Sequence, residues 1–242
     1  MTRLTWLGHA TVLVELAGAR LLTDPVLRSR VVHLRRQGPA PGVPAVDAAL
    51  VSHLHYDHLD LPSLRMLEPA PRIVCPAGAG AFLGRAGFPG AEELSPGASL
   101  EVGGVRVEAT PAVHDEKRRP RGPEAAPIGF VLRAERSVYF AGDTDLFEEL
   151  AELGPVDVAL LPVAGWSPRL GSGHLDPHGA ARAAALLRPR VAVPIHWGTL
   201  HPVNRARGAW FTDPPVEFAA QVAELAPDVE VRTLAPGESL EL

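Results

Sequence analysis

The strongest constraint on this chain is a ten-residue stretch, Val51-Ser-His-Leu-His-Tyr-Asp-His-Leu-Asp60, which carries four side chains able to bind metal. It follows an apolar run from Val46 to Val51, which predicts a buried strand. Because side chains alternate along a strand, we expect His53 and His55 to point to the same side. Two imidazoles that leave one strand end together can bind a single metal ion.

The other two members of this cluster, Asp57 and His58, fall on the turn beyond the predicted strand. The backbone there could direct them towards a second ion. Imidazole and carboxylate ligands together favour zinc or another borderline divalent metal. A solvated histidine-rich turn is the alternative, but four such side chains in this order favour a metal site.

Length and composition favour one α/β domain spanning residues 1–242. The chain is 46% hydrophobic and 21% charged, as ordinary globular proteins are, and it is long enough to bury a core. Its formal net charge of −5 argues against a nucleic-acid-binding protein. The single cysteine, Cys75, is expected to be buried and structural, so thiolates cannot complete the metal site. No apolar stretch is long enough for a transmembrane segment and the start lacks a secretion signal, so we expect a cytoplasmic enzyme.

Hydrophobic periodicity and turn residues predict many strands and a few helices. The predicted strands are residues 3–7, 11–16, 20–23, 46–51, 72–75, 99–102, 105–109, 128–133, 137–140, 156–161, 191–195 and 229–234. The predicted helices are residues 61–67, 78–87, 146–153 and 216–225, and one that begins at Pro177 after the N-cap Asp176. Residues 27–44 lack a pattern and are predicted to form a loop. The first part of the chain is predicted to be mostly strands, and the later part alternates strands and helices. This order predicts packed sheets with helices outside.

Three further candidate ligands, His114, Asp143 and His196, each stand where a predicted strand runs into a loop. Strand ends at one edge of a sheet converge, so residues far apart in sequence can meet there. Taken singly, His114 could be a loop histidine, Asp143 a turn residue or N-cap, and His196 a core histidine. Together with the cluster they complete two coordination shells.

These residues make the chain resemble the metallo-β-lactamase fold superfamily. Its five motifs are present in order, namely Asp24, the cluster from His53 to His58, His114, Asp143 within Gly-Asp-Thr, and His196. The resemblance implies an αββα sandwich of two packed mixed sheets with a two-metal site at one edge. The implied ligands are His53, His55 and His114 for the first ion, Asp57, His58 and His196 for the second, and Asp143 as the bridge. Asp24 is implied to support a ligand histidine from behind, although on spacing alone it could equally be a cap or turn residue.

Longer motifs are similar to one branch of that superfamily. They are Thr5-Trp-Leu-Gly-His-Ala-Thr11, Leu22-Thr-Asp-Pro25, Ser52 to Asp60, His174-x-Asp-Pro177 and Ile195-His-Trp-Gly-Thr199. The branch holds the N-acylphosphatidylethanolamine-hydrolysing phospholipase D enzymes and, more distantly, the L-ascorbate 6-phosphate lactonases. It implies a hydrolase with two divalent ions, zinc being the first expectation and manganese the alternative.

The charge of such a site favours an anionic substrate. Two divalent cations, offset by the ionised Asp57 and Asp143 and a bridging hydroxide, would leave the centre at about +1. Metal-bound water can have a pKa of about 7, so the hydroxide forms at neutral pH. Two basic loops could add a cationic rim, one with Arg28, Arg30, Arg35 and Arg36 and one from Lys117 to Arg121. A solvated arginine-rich surface is the alternative and the favoured interpretation of these loops.

The predicted catalytic residues are Asp57, which is also a ligand, and His174. His174 lies two residues before the N-cap Asp176 and after the segment Gly171-Ser-Gly173, and the two coordination shells are complete without it. We therefore expect it to face the substrate or the leaving group, with a local cap interaction as the alternative. His9, Trp166 and Trp197 are candidates for the pocket wall, although each tryptophan could equally be part of the core.

The sequence thus predicts a binuclear metal-dependent hydrolase whose bridging hydroxide attacks a phosphodiester or a related anionic ester. A lactonase or carboxylic-ester hydrolase with the same site is the first alternative. A metal-binding or sensing protein without turnover is the second. The expected partner is a small anionic substrate, with no nucleic acid and no transmembrane segment, and the sequence does not assign an oligomeric state.

Overall fold

The structure, a computed structural model, describes residues 2–118, 122–167 and 169–242. Its strands are β1 (Arg3–Gly8), β2 (Thr11–Leu16), β3 (Ala19–Thr23), β4 (Arg30–Val31), β5 (Leu34–Arg36), β6 (Ala48–Leu50), β7 (Arg72–Pro76), β8 (Glu92–Leu94), β9 (Ser99–Val102), β10 (Val105–Pro111), β11 (Ile128–Arg133), β12 (Ser137–Phe140), β13 (Val158–Pro162), β14 (Val191–Ile195), β15 (Leu200–Pro202), β16 (Glu230–Val231) and β17 (Ser239–Glu241). Its helices are α1 (Leu61–Leu64), α2 (Gly80–Arg85), α3 (Leu150–Leu153), α4 (Pro177–Leu187), α5 (Ala209–Thr212) and α6 (Pro214–Leu225).

The strands form two large mixed sheets and one small one. The first sheet has the order β17-β1-β2-β3-β6-β7-β8, antiparallel from β17 to β3 and parallel from β3 to β8. The second has the order β16-β14-β13-β12-β11-β10-β9, parallel from β16 to β12 and antiparallel from β12 to β9. The small sheet joins β15, β5 and β4. β17 pairs with β1, so the first and last of these strands belong to the same sheet. That residues 1–242 form one domain remains a prediction.

Alternation along the strands divides the apolar residues among three layers. In β2, Val12 and Val14 face the second sheet and join the central core, whereas Leu13 faces the opposite side. Phe130 and Phe140 enter the central core from the second sheet. The outer face of the first sheet packs under α1 and α2, and that of the second packs under α4 and α6. The predicted αββα sandwich is confirmed.

Several local predictions match the structure closely. The hairpin between β9 and β10 turns at Gly103 and Gly104, which have φ angles of 55° and 85°, the region that glycine adopts without strain. Asp176 caps α4 by accepting a hydrogen bond from the backbone N of Gly179 over 2.7 Å. Asp60 caps α1 in the same way, through the backbone N of Ser63.

Other element predictions need correction. The strand before the histidine cluster ends at Leu50, so His53 and His55 lie on the turn beyond β6 rather than on the strand itself. The predicted loop 27–44 contains the hairpin β4–β5, which is too short to show a hydrophobic period. The helix predicted over residues 146–153 covers only α3, and the strands β8, β15 and β17 and the helix α5 were missed. Among the described residues, no helix has the length and apolar character that a membrane crossing requires.

Candidate metal centre

The candidate ligands follow the carboxyl ends of strands from both sheets. The cluster from His53 to His58 lies on the turn after β6, and His114 follows β10. Asp143 follows β12, and His196 comes directly after β14. Because the two sheets pack face to face, these strand ends meet at one edge of the sandwich. The structure therefore brings together all the residues that the sequence analysis proposed as ligands.

Three imidazoles form the first group of donor atoms. Nε2 of His53 lies 3.1 Å from Nδ1 of His55, and that nitrogen lies 3.0 Å from Nε2 of His114. Three nitrogen atoms this close can bind one ion in common, as the three-histidine sites of zinc proteins do.

A second group is formed by His58, His196 and Asp57. The Nε2 atoms of His58 and His196 are 3.0 Å apart. Oδ2 of Asp57 lies 3.7 Å from the first of these nitrogens and 3.8 Å from the second. These two imidazoles and one carboxylate could hold a second ion, and a ring nitrogen of His9 lies in the same cluster, within 4.8 Å of their donor atoms.

Asp143 lies between the two groups. Its Oδ2 is 3.2 Å from Nε2 of His58 and 3.9 Å from Nε2 of His114. Its Oδ1 is 3.3 Å from Nε2 of His196, is buried and has no hydrogen-bond partner among the described residues. A buried carboxylate oxygen without a partner is costly unless a cation is bound beside it. The donor atoms present therefore fit a pair of divalent cations.

In three of these histidines, the ring nitrogen that points away from the site donates a hydrogen bond to an oxygen atom. Nδ1 of His114 donates to the carbonyl of Gly173 over 2.7 Å, and Nδ1 of His196 donates to the carbonyl of Ala164 over 2.7 Å. Nδ1 of His58 donates to Oδ2 of Asp24 over 2.6 Å. A ring that donates through Nδ1 presents the lone pair of Nε2, which therefore faces the site.

Ser52 extends this support to His53. Its hydroxyl donates to Oδ2 of Asp24 over 2.6 Å, so the same oxygen accepts from Nδ1 of His53, 2.9 Å away. The backbone N of Ser52 donates to Oδ1 of Asp24 over 2.7 Å. Sequence reasoning missed Ser52, whose signal is only its position directly before the histidine cluster.

Burial keeps most of these imidazoles neutral. Burial lowers the pKa of His53 well below its ordinary value and that of His114 to about 4. Burial likewise lowers the pKa of His55 and of His196. A neutral imidazole has the free lone pair that a metal ligand needs.

His58 differs because it lies between carboxylates. Burial acts to lower its pKa, but Asp143, Asp57 and Asp24 together raise it well above the ordinary value. Burial also acts to raise the pKa of Asp57 and Asp143, but the surrounding histidines hold both well below the ordinary value. The negative potential of these carboxylates would stabilise a bound cation in the same way.

Strained backbone supports the site. His9, Asp24 and His196 have φ angles of 56°, 33° and 63°, which non-glycine residues seldom adopt. The backbone N of His196 donates to the carbonyl of His9 over 2.9 Å, and the N of Asp24 donates to the carbonyl of Leu50 over 2.8 Å. Each such residue costs roughly 1–3 kcal/mol and persists only where its surroundings fix it, as at functional sites.

Two glycines allow the loops to approach each other. Gly142 has a φ of 62°, and a Cβ there would lie 2.7 Å from the Cβ of Ser52. Gly173 has a φ of 80°, and its Cβ would lie 3.0 Å from Nδ1 of His114. Any other residue would therefore push apart the loops that carry the candidate ligands.

An open pocket of about 1010 Å³ leads to these residues. The candidate ligands that line it are His55, Asp57, His114 and Asp143. Its other walls are largely apolar or aromatic, contributed by Val31, Val32, His33, Leu34, Tyr56, Val113 and Trp166. The rest of the lining comes from Asp115, Asp145, Gly171, Ser172, Gly173 and His174. Within the part of the chain that the structure describes, no lysine or arginine lines this pocket.

Within the described residues, no arginine or lysine of the two basic loops lines the pocket, although Arg30 and Arg35 are exposed at the surface. Arg28 pairs with Asp60, with N–O distances of 2.7 and 2.8 Å. Arg36 is buried and donates to the carbonyls of Leu7 and Val26 over 2.9 and 2.5 Å. Both side chains are therefore used within the fold.

The described basic residues of the second loop also bind other residues of the chain. Arg118 is buried, packs on the ring of Tyr56 and donates to the carbonyls of Leu54 and Leu59. Lys117 pairs with Glu124 over 3.1 Å at the surface. Arg119 and Arg121, which were also considered for the cationic rim, lie outside the described residues.

His174 lies at the pocket, whereas His9 does not line it. Nε2 of His174 is 3.5 Å from Oδ2 of Asp143, and its ring meets that of His114 edge-on with centroids 4.6 Å apart. The side chain of His174 is 24% exposed. His9 is buried, and its Nε2 donates to Oδ2 of Asp57 over 3.0 Å, which orients that carboxylate. Burial lowers the pKa of His9 to about 3.

The two tryptophans differ in the same way. Trp166 lines the pocket. Trp197 does not, because its ring stacks on Trp6 at 5.1 Å and its Nε1 donates to the carbonyl of Pro194 over 3.0 Å. The sequence missed Val31, Val32 and His33 as pocket residues, since no pattern distinguishes them within the predicted loop.

Two packed mixed sheets with helices on both outer faces, and a histidine–aspartate cluster at one sheet edge, define the class of metallo-β-lactamase fold hydrolases. The sequence model of the beta-lactamase superfamily domain matches residues 19–197. A UPF0173 metal-dependent hydrolase from Methanopyrus kandleri is 35% identical over 246 residues, which cover 99% of this chain and 99% of that protein. The chain therefore belongs to the beta-lactamase superfamily, among its metal-dependent hydrolases.

Two further similarities support this assignment. The N-acyl-phosphatidylethanolamine-hydrolyzing phospholipase D 1 of Caenorhabditis elegans is 34% identical over 226 residues, covering 81% of this chain and 63% of that enzyme. The solved structure of a metallo hydrolase from the archaeon Ignicoccus hospitalis has a TM-score of 0.76 and 26% identity, covering 100% of this chain and 99% of that one.

Proposed function

We propose that this protein is a binuclear hydrolase in which His53, His55 and His114 hold one divalent ion, while Asp57, His58 and His196 hold the other. Asp143 would bridge the two. The observation that carries the proposal is the position of Asp143, whose buried Oδ1 has no hydrogen-bond partner among the described residues and lies 3.3 Å from Nε2 of His196. Its Oδ2 lies between the two groups, 3.2 Å from Nε2 of His58 and 3.9 Å from Nε2 of His114.

Zinc is the expected metal, because neutral imidazole and carboxylate suit it, and manganese is the alternative. Bound ions of this kind supply a nucleophile from water at neutral pH and polarise the oxygen of the attacked group. Other residues of the chain hold the ligand side chains in place. His9 holds the carboxylate of Asp57 in place through the 3.0 Å hydrogen bond, and Asp24 fixes the ring of His58.

We propose a phosphodiester or a related anionic ester as the substrate. The activity printed in the name of the relative from Caenorhabditis elegans supports a phosphodiester. The net positive charge expected of the loaded site supports an anion. His174 would donate a proton to the leaving oxygen, since it lines the pocket, is partly exposed and lies beside Asp143.

A carboxylic ester or lactone is the second candidate, and the pocket lining favours it. The described lining contains valine, leucine and tryptophan side chains but neither lysine nor arginine. Such a surface would bind an uncharged substrate body and leave the metal site as the attraction for its polar group.

Metal analysis and a substrate screen test these proposals together. Protein purified without chelator should hold close to two ions per chain. A stoichiometry that stays near one after zinc or manganese is supplied would contradict the binuclear site. Turnover of methyl 4-nitrophenyl phosphate should exceed that of a neutral lactone of similar size by kcat/KM, and the reverse order would favour the second candidate. Two bound ions without turnover of either substrate would favour a metal-binding or sensing protein.

A further inference from the structure

A strained turn lies at the pocket, at the tip of the hairpin β4–β5. The register pairs Val31 with Leu34, so Val32 and His33 form a two-residue connection. Val32 has a φ of 49°. Two-residue hairpin turns usually place Gly, Asn or Asp where φ is positive, and a β-branched residue there is a genuine outlier.

The surroundings fix this turn from both sides. Nε of Arg30 donates to the carbonyl of Val32 over 3.1 Å, and the backbone N of Val203 donates to the carbonyl of His33 over 3.0 Å. Beneath the turn, Val31 and Leu34 are buried in a small apolar cluster with Val26 and Leu200. The strain at Val32 therefore persists because the backbone is held in place, although glycine or asparagine would adopt it more easily.

Val32 lines the pocket and is 57% exposed. Val113 and Trp166 line the same pocket, and the ring of His33 meets that of Trp166 edge-on with centroids 5.2 Å apart. Single exposed apolar residues are ordinary, but several in one pocket indicate a surface that a ligand covers. The strained backbone position thus presents an apolar group where a ligand would contact it.

We propose that the hairpin tip, Val32 with His33 and Trp166, binds a hydrophobic substituent of the substrate and sets a preference for long alkyl or acyl groups over short ones. This inference rests on the proposed function, since it assumes that the reacting group lies at the metal centre. The described lining offers no lysine or arginine, and the exposed Arg30 beside the tip uses its Nε to hold the carbonyl of Val32.

The test compares Val32→Asn with the matched variant Val43→Asn. Val43 lies between β5 and β6, is 43% exposed and does not line the pocket. The substrates are methyl and octyl 4-nitrophenyl phosphate, and 4-nitrophenyl acetate and octanoate. The wild-type protein should prefer the octyl or octanoyl member of a pair by kcat/KM. Val32→Asn should lower this preference roughly tenfold, as a lost apolar contact does, and Val43→Asn should leave it as in the wild type.

The unfolding temperature distinguishes a role of Val32 in substrate binding from a role in stability alone. Asparagine tolerates a positive φ, so Val32→Asn should unfold at the same temperature as the wild type or higher while it loses the chain-length preference. A lower unfolding temperature together with an unchanged preference would overturn the proposal. An equal loss of preference in Val43→Asn would overturn it as well.

Calorimetry separates this proposal from the proposed function. If no ester in the set is hydrolysed, the proposed function fails, and titration of the metal-loaded protein with methylphosphonate and octylphosphonate decides the hairpin proposal alone. Tighter binding of octylphosphonate that weakens in Val32→Asn supports it. Equal affinity for the two phosphonates overturns it.

Discussion

Nδ1 of His58 donates to Oδ2 of Asp24 over 2.6 Å, and both side chains are fully buried. Asp24 also accepts from the hydroxyl and the backbone N of Ser52. All three partners are donors, so only an ionised carboxylate satisfies them together. The contact thus fixes which nitrogen of His58 faces the candidate metal centre.

Asp24→Asn should weaken binding of the second ion by roughly 10- to 100-fold, the usual effect of losing a partner behind a ligand. An amide cannot accept from His58 and from both donors of Ser52, so the ring of His58 would no longer be held with its Nε2 lone pair towards the ion. Competition titration with a zinc chelator measures the affinity. Asp47→Asn is the control, since Asp47 also accepts a backbone hydrogen bond, from Arg20 over 2.7 Å, but at an exposed position. Equal effects of the two variants would contradict the role of Asp24.

Asp143→Asn should lower the occupancy of both metal positions, whereas His196→Ala should mainly empty the second. The reason is that the carboxylate of Asp143 faces donor atoms of both groups, 3.2 Å from Nε2 of His58 and 3.9 Å from Nε2 of His114. His196 belongs to the second group, with its Nε2 3.0 Å from Nε2 of His58 and 3.3 Å from Oδ1 of Asp143. Elemental analysis after dialysis against limiting zinc measures both. A variant of Asp143 that keeps one ion fully bound would show that the residue does not bridge.

The positions of the candidate ligands followed from two simple rules. The spacing of His53, His55, Asp57 and His58 brings four donors onto one turn, and ends of neighbouring strands meet at one edge. Those rules indicated that His114, Asp143 and His196 would come close to the cluster, as they do. Their role as ligands stays a prediction.

The pocket wall could not be predicted in this way. β4 and β5 have two and three residues, too few for a period, and their turn carries valine and histidine in place of glycine or asparagine. Arg36 and Arg118 are expected on the surface by residue type, yet both are buried because backbone carbonyls accept their hydrogen bonds. Whether an arginine of this kind is buried depends on tertiary contacts, which the sequence does not show.

Salt should have little effect on the rate with a phosphodiester. Arginines that line the pocket would have made the rate sensitive to ionic strength, but Arg28 pairs with Asp60, Arg36 is buried, and the exposed Arg30 and Arg35 are not part of the described lining. We therefore expect kcat/KM for methyl 4-nitrophenyl phosphate to change by less than about twofold between low and physiological ionic strength, since short-range attraction at a partly enclosed site is only weakly screened. Initial rates at several salt concentrations measure this dependence of kcat/KM on ionic strength. A steep decline with salt would show that cationic side chains attract the substrate after all.

His174→Ala should leave the metal content intact and lower kcat by roughly 10²- to 10⁴-fold, the range of a positioned acid or base. The side chain of His174 lines the pocket and is 24% exposed, and its Nε2 lies 3.5 Å from Oδ2 of Asp143. An imidazole there can give a proton to a leaving alkoxide. The loss should shrink for substrates that leave as 4-nitrophenolate, because that anion needs no proton.

The matched variant for this prediction is His178→Ala, which removes an exposed histidine of α4 whose Nδ1 lies 2.9 Å from Oε1 of Gln221. It should leave kcat unchanged for both kinds of leaving group. Loss of an ion in His174→Ala would instead make His174 a metal ligand, which its proximity to His114 and Asp143 allows. An equal loss of rate for alkyl and nitrophenyl leaving groups, with both ions retained, would rule out proton donation, because only the alkoxide depends on it.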